Sequence, residues 1–204
     1  MTKTMNVEIS PKHSLSFSPW SKLTKTEKNR EIVRLAHQNR GRAVTLNLSP
    51  DFANYLMGNE APMRQVGKRT HAELKKLDLH RLPILLVLEA TKGDRRPHLH
   101  GAFIANGVPE QAIQKAMRRA VGYVPGRSGS RQFFAKEIFA PDGWSNYLLK
   151  DKGFTQKLLS LADDRRLWWV SHSMTRLVRD HYEAVRARKL QAANNNISPA
   201  STGS

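Results

Sequence analysis

The chain has 204 residues, with 34 Lys and Arg against 17 Asp and Glu, a formal charge of +17 and no cysteine. That length supports one domain with extensions and a real hydrophobic core, and the charge favours a polyanionic partner, nucleic acid first. The missing cysteines exclude disulfides and thiolate metal sites, no apolar run is long enough to span a bilayer, and no apolar signal core opens the chain, which predicts an intracellular protein that does not engage a membrane.

Residues 1 to about 23, with Pro11, Pro19 and several serines, show no periodicity, although Trp20 is placed to tuck onto the domain. A helix is predicted from Thr26 to about Gln38, capped by Thr24 or Thr26, with Ile32, Val33, Leu35 and Ala36 on its apolar side and Gly41 ending it. The stretch 42–49 alternates, with Val44, Leu46 and Leu48 on one face and Thr45 and Asn47 on the other, which predicts a strand with one buried face. From Pro50 to His80 the pattern is helical, in two pieces broken near Gly58 and Asn59.

An apolar strand over 82–90 then ends in Glu89 and Ala90, and a polar turn, Thr91-Lys92-Gly93-Asp94-Arg95, leads into Arg96-Pro97-His98-Leu99-His100-Gly101. These read as an antiparallel hairpin. Side chains alternate along a strand, so His98 and His100 point to one side, about 7 Å apart at their Cα atoms. An even-length loop sets Glu89 opposite His98 and onto the same face; an odd one turns it away. With even parity, His98, His100 and Glu89 make a candidate site for one divalent cation.

A helix follows from Val108-Pro109-Glu110, with Ala112, Ile113, Ala116, Met117, Ala120 and Val121 as its stripe and Gly122 as its stop. Its Arg118 lies outside that stripe, and Arg127 sits in the Gly/Pro loop behind it. A strand is predicted over 131–139 and a short helix from Asp142 to about Lys152, ended by Gly153. On that helix Tyr147 and Lys150 are three apart and share a face. A phenol is a poor nucleophile until positive charge stabilises its anion, so a tyrosine beside a metal and a lysine suits attack on phosphate.

The C-terminal part carries Trp168 and Trp169, which either stack on unpaired bases or belong to the core. A basic helix is predicted from about Ser173 to Leu190, with Met174, Leu177, Val178, Tyr182 and Val185 as its stripe. The expected organisation is an N-terminal extension over 1–40, a core over 41–155, a helical extension over 156–190 and a disordered tail over 191–204. The core elements spell βαββαβ, an α+β fold of the ferredoxin-like or RRM-like kind: a central antiparallel sheet with helices on one face, and Thr45, Asn47, Glu89, His98 and His100 on the open face.

Taken together, Val44-Thr45-Leu46-Asn47-Leu48, Pro97-His98-Leu99-His100 and Tyr147-Leu148-Leu149-Lys150-Asp151 resemble the three motifs of the HUH endonucleases, specifically the rolling-circle replication initiators with a single catalytic tyrosine. The resemblance covers roughly residues 41 to 153. It implies a nickase for single-stranded or hairpin origin DNA, working through a covalent 5′-phosphotyrosine on Tyr147 with Lys150 as catalytic partner. It also implies Mg²⁺ or Mn²⁺ on His98, His100 and Glu89, a ligand set that also suits zinc, and the setting of a plasmid or phage replicon in a bacterial cytoplasm. Thr45, Asn47, Arg95, Arg96, Arg118, Arg127 and Lys152 are the candidate DNA contacts. No Gly-x-x-x-x-Gly-Lys-Ser/Thr loop is present, so a separate helicase is expected as partner. Three rivals stay open: a single-strand transposase or mobilisation nickase of the same superfamily, a metal-dependent hydrolase using water, and a non-catalytic RRM-like binder. The last would need exposed aromatics on central strands, where this sequence has His, Glu and Asn.

Overall fold

A computed structural model describes residues 18–93, 95–126 and 129–197. The elements run α1 (Lys25–Gln38), β1 (Arg42–Asn47), α2 (Pro50–Met57), α3 (Pro62–Lys75), β2 (Ile84–Ala90), β3 (Pro97–Phe103), α4 (Glu110–Val121), α5 (Gly129–Gln132), β4 (Phe133–Glu137), α6 (Pro141–Tyr147), α7 (Lys152–Leu158), β5 (Trp168–Val170) and α8 (His172–Ile197). The fold is α+β: a five-stranded antiparallel sheet in the order β4-β1-β3-β2-β5, with helices packed against it. No helix among the described residues is long and apolar enough to cross a membrane.

Alternation along the strands builds two apolar layers. Val44, Leu46, Leu86, Leu88, Leu99 and Phe103 face a core closed by Phe52 of α2, Val66 and Leu74 of α3, and Ile113 and Met117 of α4. The opposite face carries Ala43, Leu85, Val87 and Ala102, covered by Ile32, Val33, Leu35 and Ala36 of α1, Leu148, and Met174 and Val178 of α8. This corrects the expectation of a sheet with one open face. The two helices that cover it come from the segments expected to be extensions.

Local signals account for most boundaries. Thr24 caps α1 in a capping box, its hydroxyl accepting from the Glu27 amide at 3.3 Å while the Glu27 carboxylate accepts from the Thr24 amide at 2.7 Å. Ser49 caps α2 the same way, accepting from the Phe52 amide at 3.2 Å, with Pro50 in the first turn. Several boundaries differ from the sequence reading: α5 takes Arg131 and Gln132 out of the strand expected over 131–139, which is β4 over Phe133–Glu137, and α6 ends at Tyr147 rather than near Lys152. Gly153 lies inside α7 rather than ending the preceding helix, and α8 runs to Ile197, well past Leu190. Leu177, placed in the apolar stripe of α8, is exposed, whereas Met174 and Val178 are buried.

Trp168 and Trp169 form the edge strand β5, which the sequence reading did not separate from its surroundings. Both are partly buried against the core, which decides for packing over base stacking. The Trp169 indole lies flush on α3: a Cβ added at Gly67 would come within 2.2 Å of its Nε1.

Gly101, directly after the paired histidines, answers an even tighter approach. A Cβ there would sit 1.9 Å from the Leu85 backbone oxygen, and the Gly101 carbonyl accepts from Trp144 Nε1 at 3.0 Å. Backbone cannot yield as a side chain does, so Gly101→Ala is expected to cost about 3 kcal/mol of stability, by overpacking β3 against β2. Urea denaturation measures this directly; a loss under about 0.5 kcal/mol would mean the strands slide apart at little cost.

Candidate metal centre

The loop between β2 and β3 spans residues 91–96, an even number, and the register pairs Glu89 with His98 and Val87 with His100. On the other side of β3, Asn47 pairs with His98 and Thr45 with His100. The second sheet face therefore reads as three rungs. Ala43, Ala102 and Leu85 form an apolar rung; Thr45, His100 and Val87 a mixed one; Asn47, His98 and Glu89 a polar one. The apolar rung lies in the core made with α1 and α8, and the sheet turns polar as it approaches the end of α6.

Among the described residues, Glu89, His98 and His100 form a group whose ligand atoms all lie within 4.8 Å of one another. The two Nε2 atoms are 3.0 Å apart, and His100 Nε2 is 3.2 Å from Glu89 Oε2. Ligands at right angles around an ion with bonds of about 2.1 Å would be about 3.0 Å apart, so these spacings suit one small divalent ion.

The surrounding hydrogen bonds aim the lone pairs inward. His98 Nδ1 lies 3.2 Å from the Arg96 carbonyl oxygen, which can only accept; Nδ1 then carries the proton and Nε2 presents a lone pair. His100 Nδ1 is 2.9 Å from the Thr45 hydroxyl, which can accept its proton and leave Nε2 bare as well. Burial, with His98 and Lys150 nearby, holds His100 neutral, its pKa pushed down to about 3. Glu89 is 3% exposed, and neither carboxylate oxygen accepts a hydrogen bond of good geometry. Burial raises its pKa above the usual carboxylate value, against the pull of Lys150, whose Nζ is 3.3 Å from Oε1. Two imidazole lone pairs converge on a buried carboxylate whose cationic partner is Lys150, 3.3 Å from Oε1. A cation at that point relieves all three, so Glu89, His98 and His100 could bind a metal ion.

Tyr147 and Lys150 stand at the same place, though on a different local structure from the one expected. α6 ends at Tyr147, and the Leu149 and Lys150 amides bond back three residues, to Asn146 and Tyr147. In such a tight turn residues i and i+3 eclipse, so the pair meets even without a continuous helix. Lys150 Nζ lies 3.5 Å from the Tyr147 ring centroid. Partial burial opposes the Lys150 charge, but the Tyr147 hydroxyl and the Glu89 carboxylate outweigh it and its pKa lies above the ordinary lysine value. The Tyr147 ring packs edge-on to His100 at 5.1 Å between centroids.

The expected DNA contacts divide. Thr45 is engaged by His100, and Asn47, on the polar rung, donates to the Arg131 carbonyl at 3.1 Å. Arg95 and Arg96 line a groove of about 330 Å³ with Asn47 and His98. Lys152 opens α7 and is exposed. Arg118 serves the fold instead: its Nε donates to Gln132 at 3.0 Å and its guanidinium lies over the Tyr123 ring. Arg127 lies outside the described residues.

Two residues that hold the site in place escaped sequence reasoning. Trp144 stacks on Tyr147, 5.1 Å between centroids and 9° between planes; its spacing of three from Tyr147 was the available signal. Gln132 is fully buried, accepts from Arg118 Nε and the Val124 amide, and donates to the Asn47 and Gly122 carbonyls at 3.2 and 2.6 Å. It ties the end of β1, and so the polar rung, to the end of α4; nothing in its sequence surroundings marks it. Gln132→Ala strands two part-buried carbonyls and is expected to cost about 1 kcal/mol, read by urea denaturation; an unchanged midpoint would mean water replaces the amide freely.

Comparison of the chain with protein-family models, with curated proteins and with solved structures finds no match.

Proposed function

We propose that this chain is a metal-dependent endonuclease of the HUH type, with one catalytic tyrosine, that nicks single-stranded or hairpin DNA to start rolling-circle replication. The observation that carries the reading is the meeting of Tyr147, Lys150 and the Glu89-His98-His100 triad, drawn from a hairpin and a turn about fifty residues apart in the chain. The strand order β4-β1-β3-β2, with helical crossovers from β1 to β2 and from β3 to β4, supports the ferredoxin-like core that goes with it. The charge of +17 supports a nucleic-acid substrate.

In this reading Tyr147 is the nucleophile. Its hydroxyl gives its proton to water, Oη forms a bond to phosphorus, the bond from phosphorus to O3′ breaks with its electron pair on O3′, and O3′ takes a proton from water to leave as a free 3′-hydroxyl. The downstream strand stays attached through its 5′-phosphate. Lys150, held charged beside the phenol, offsets the negative charge that builds on the phosphate as Oη attacks. Trp144 fixes the plane of the Tyr147 ring, and Thr45 and the Arg96 carbonyl fix the imidazoles. A divalent ion, Mg²⁺ or Mn²⁺, held by Glu89, His98 and His100 would act as a Lewis acid on a non-bridging phosphate oxygen. Strand separation falls to a separate helicase.

The test is incubation with a pool of single-stranded oligonucleotides and Mn²⁺, followed by a denaturing gel and mass spectrometry. A tyrosyl-DNA peptide is expected. Cleavage with no adduct would assign the site to a hydrolase using water, and binding with neither would leave a non-catalytic module.

A further inference from the structure

The side chains assigned so far leave a groove beside them without a role. It encloses about 420 Å³ between Tyr147 and Trp144 on one side and β4 with the segment after it on the other, over Ala43 and Thr45. Two aromatic rings on its walls are unusually bare: Phe134 is 55% exposed and Phe139 78%. Phe134 pairs with Thr45 across β1 and β4, and Thr45 pairs with His100 across β1 and β3. Directly paired residues share a face, so Phe134 stands on the same sheet face as His98 and His100, two strands over. Large apolar surface left in water beside a polar site marks a place where something binds.

The chemistry of the walls indicates what. Flat rings accept the face of any nucleobase, and stacking on them needs no sequence match. Lys136 lines the same groove, while the carboxylate of Glu137 is met by Arg42 Nη1 at 4.0 Å. Among the described residues, the groove past His98, with Arg95 and Arg96, has no Phe, Tyr or Trp on its wall and suits backbone phosphates instead. A protein could use an apolar groove, but a chain of charge +17 favours a polyanion.

We propose that the Phe134–Phe139 groove is a nucleobase subsite, taking the base directly 3′ of the cut. The inference rests on the nickase reading: Tyr147 keeps the 5′-phosphate of that nucleotide and lines this groove, so the attached base has the shortest path into it. The departing 3′-hydroxyl strand lies on the far side of phosphorus from Oη and does not compete for the groove.

The test measures anisotropy of labelled oligonucleotides spanning the mapped cut, in EDTA, with the full chain and its Phe134→Ala and Phe139→Ala variants. Both rings are exposed, so folding is expected to survive, and circular dichroism checks it. Each variant should bind about tenfold more weakly, the usual scale for losing one stacking ring. An abasic position directly 3′ of the cut should weaken the parent chain similarly and erase the difference between parent and variants. In parallel, 5-iododeoxyuridine at that position should photocrosslink to Phe134 or Phe139. Variants that bind within twofold of the parent, a loss that persists on the abasic strand, or crosslinks mapping elsewhere would each overturn the subsite while leaving an observed tyrosyl adduct, and so the nickase reading, intact. A parent chain that neither binds single-stranded DNA nor forms an adduct would overturn both.

Discussion

Tyr147→Phe is expected to abolish the covalent DNA adduct, lowering its rate of formation by at least about a thousandfold, the scale seen when a nucleophile is removed. The change deletes one oxygen and keeps the ring. That ring carries the structural work: it stacks on Trp144, packs edge-on to His100 and lies under Lys150 Nζ. The residue is 38% exposed, so its hydroxyl is not a buried partner whose loss unfolds the turn. Binding of single-stranded DNA should therefore stay within about twofold of the parent, since surface changes of this kind cost little. The chain has four tyrosines, and their positions make the result decisive. Tyr182 donates to the Ser18 carbonyl at 2.9 Å, Tyr55 stacks on Phe52, and Tyr123 lies under Arg118. An adduct that persists in the variant and maps to Tyr55 or Tyr123 would remove Tyr147 from the chemistry altogether.

The triad was legible in the sequence because every step to it is local. Alternation sets His98 and His100 on one side, and loop parity sets Glu89 opposite His98; the six-residue loop kept that parity. The meeting of the triad with Tyr147 was not local, and the residues around Tyr147 show why details slipped. Leu148 to Lys152 holds no Gly or Pro, so nothing in it announces the end of α6. The turn is set by distant partners: Leu148 is buried with the residues of α1 and α8, and Thr155, fully buried, accepts from the Ala90 amide at 3.0 Å, drawing α7 onto the end of β2. The covered second face could have been read. Leu82 to Leu88 is an unbroken apolar run, which marks a strand buried on both sides, and β2 is buried at every position. What the run does not say is which helices lie on it. Those are α1 and α8, from opposite ends of the chain, and periodicity carries no record of such pairings.

EDTA is expected to silence adduct formation completely and Mn²⁺ to restore it, with a matching change in stability that needs no DNA. A ligand that binds only the folded chain stabilises it by about 2.7 kcal/mol at a hundred times its Kd, which for a chain of this size raises Tm by roughly 5–10 °C. Glu89→Gln keeps the shape of the side chain and removes its charge, so the variant should lose that metal-dependent rise. His98→Ala should lose it too, and is the cleaner imidazole to remove. His98 is half-buried, whereas His100 is 4% exposed and its deletion would leave a cavity as well as a missing ligand. Thr45→Val separates holding from orienting: it leaves all three ligands in place but removes the hydroxyl at His100 Nδ1, and should weaken metal binding about tenfold to a hundredfold without abolishing it. A parent chain whose Tm is the same in EDTA and in saturating Mn²⁺ would deny the triad a cation. A Glu89→Gln variant with the full rise would place the ion elsewhere and leave the Glu89 carboxylate to its pairing with the charged Lys150 ammonium, 3.3 Å away.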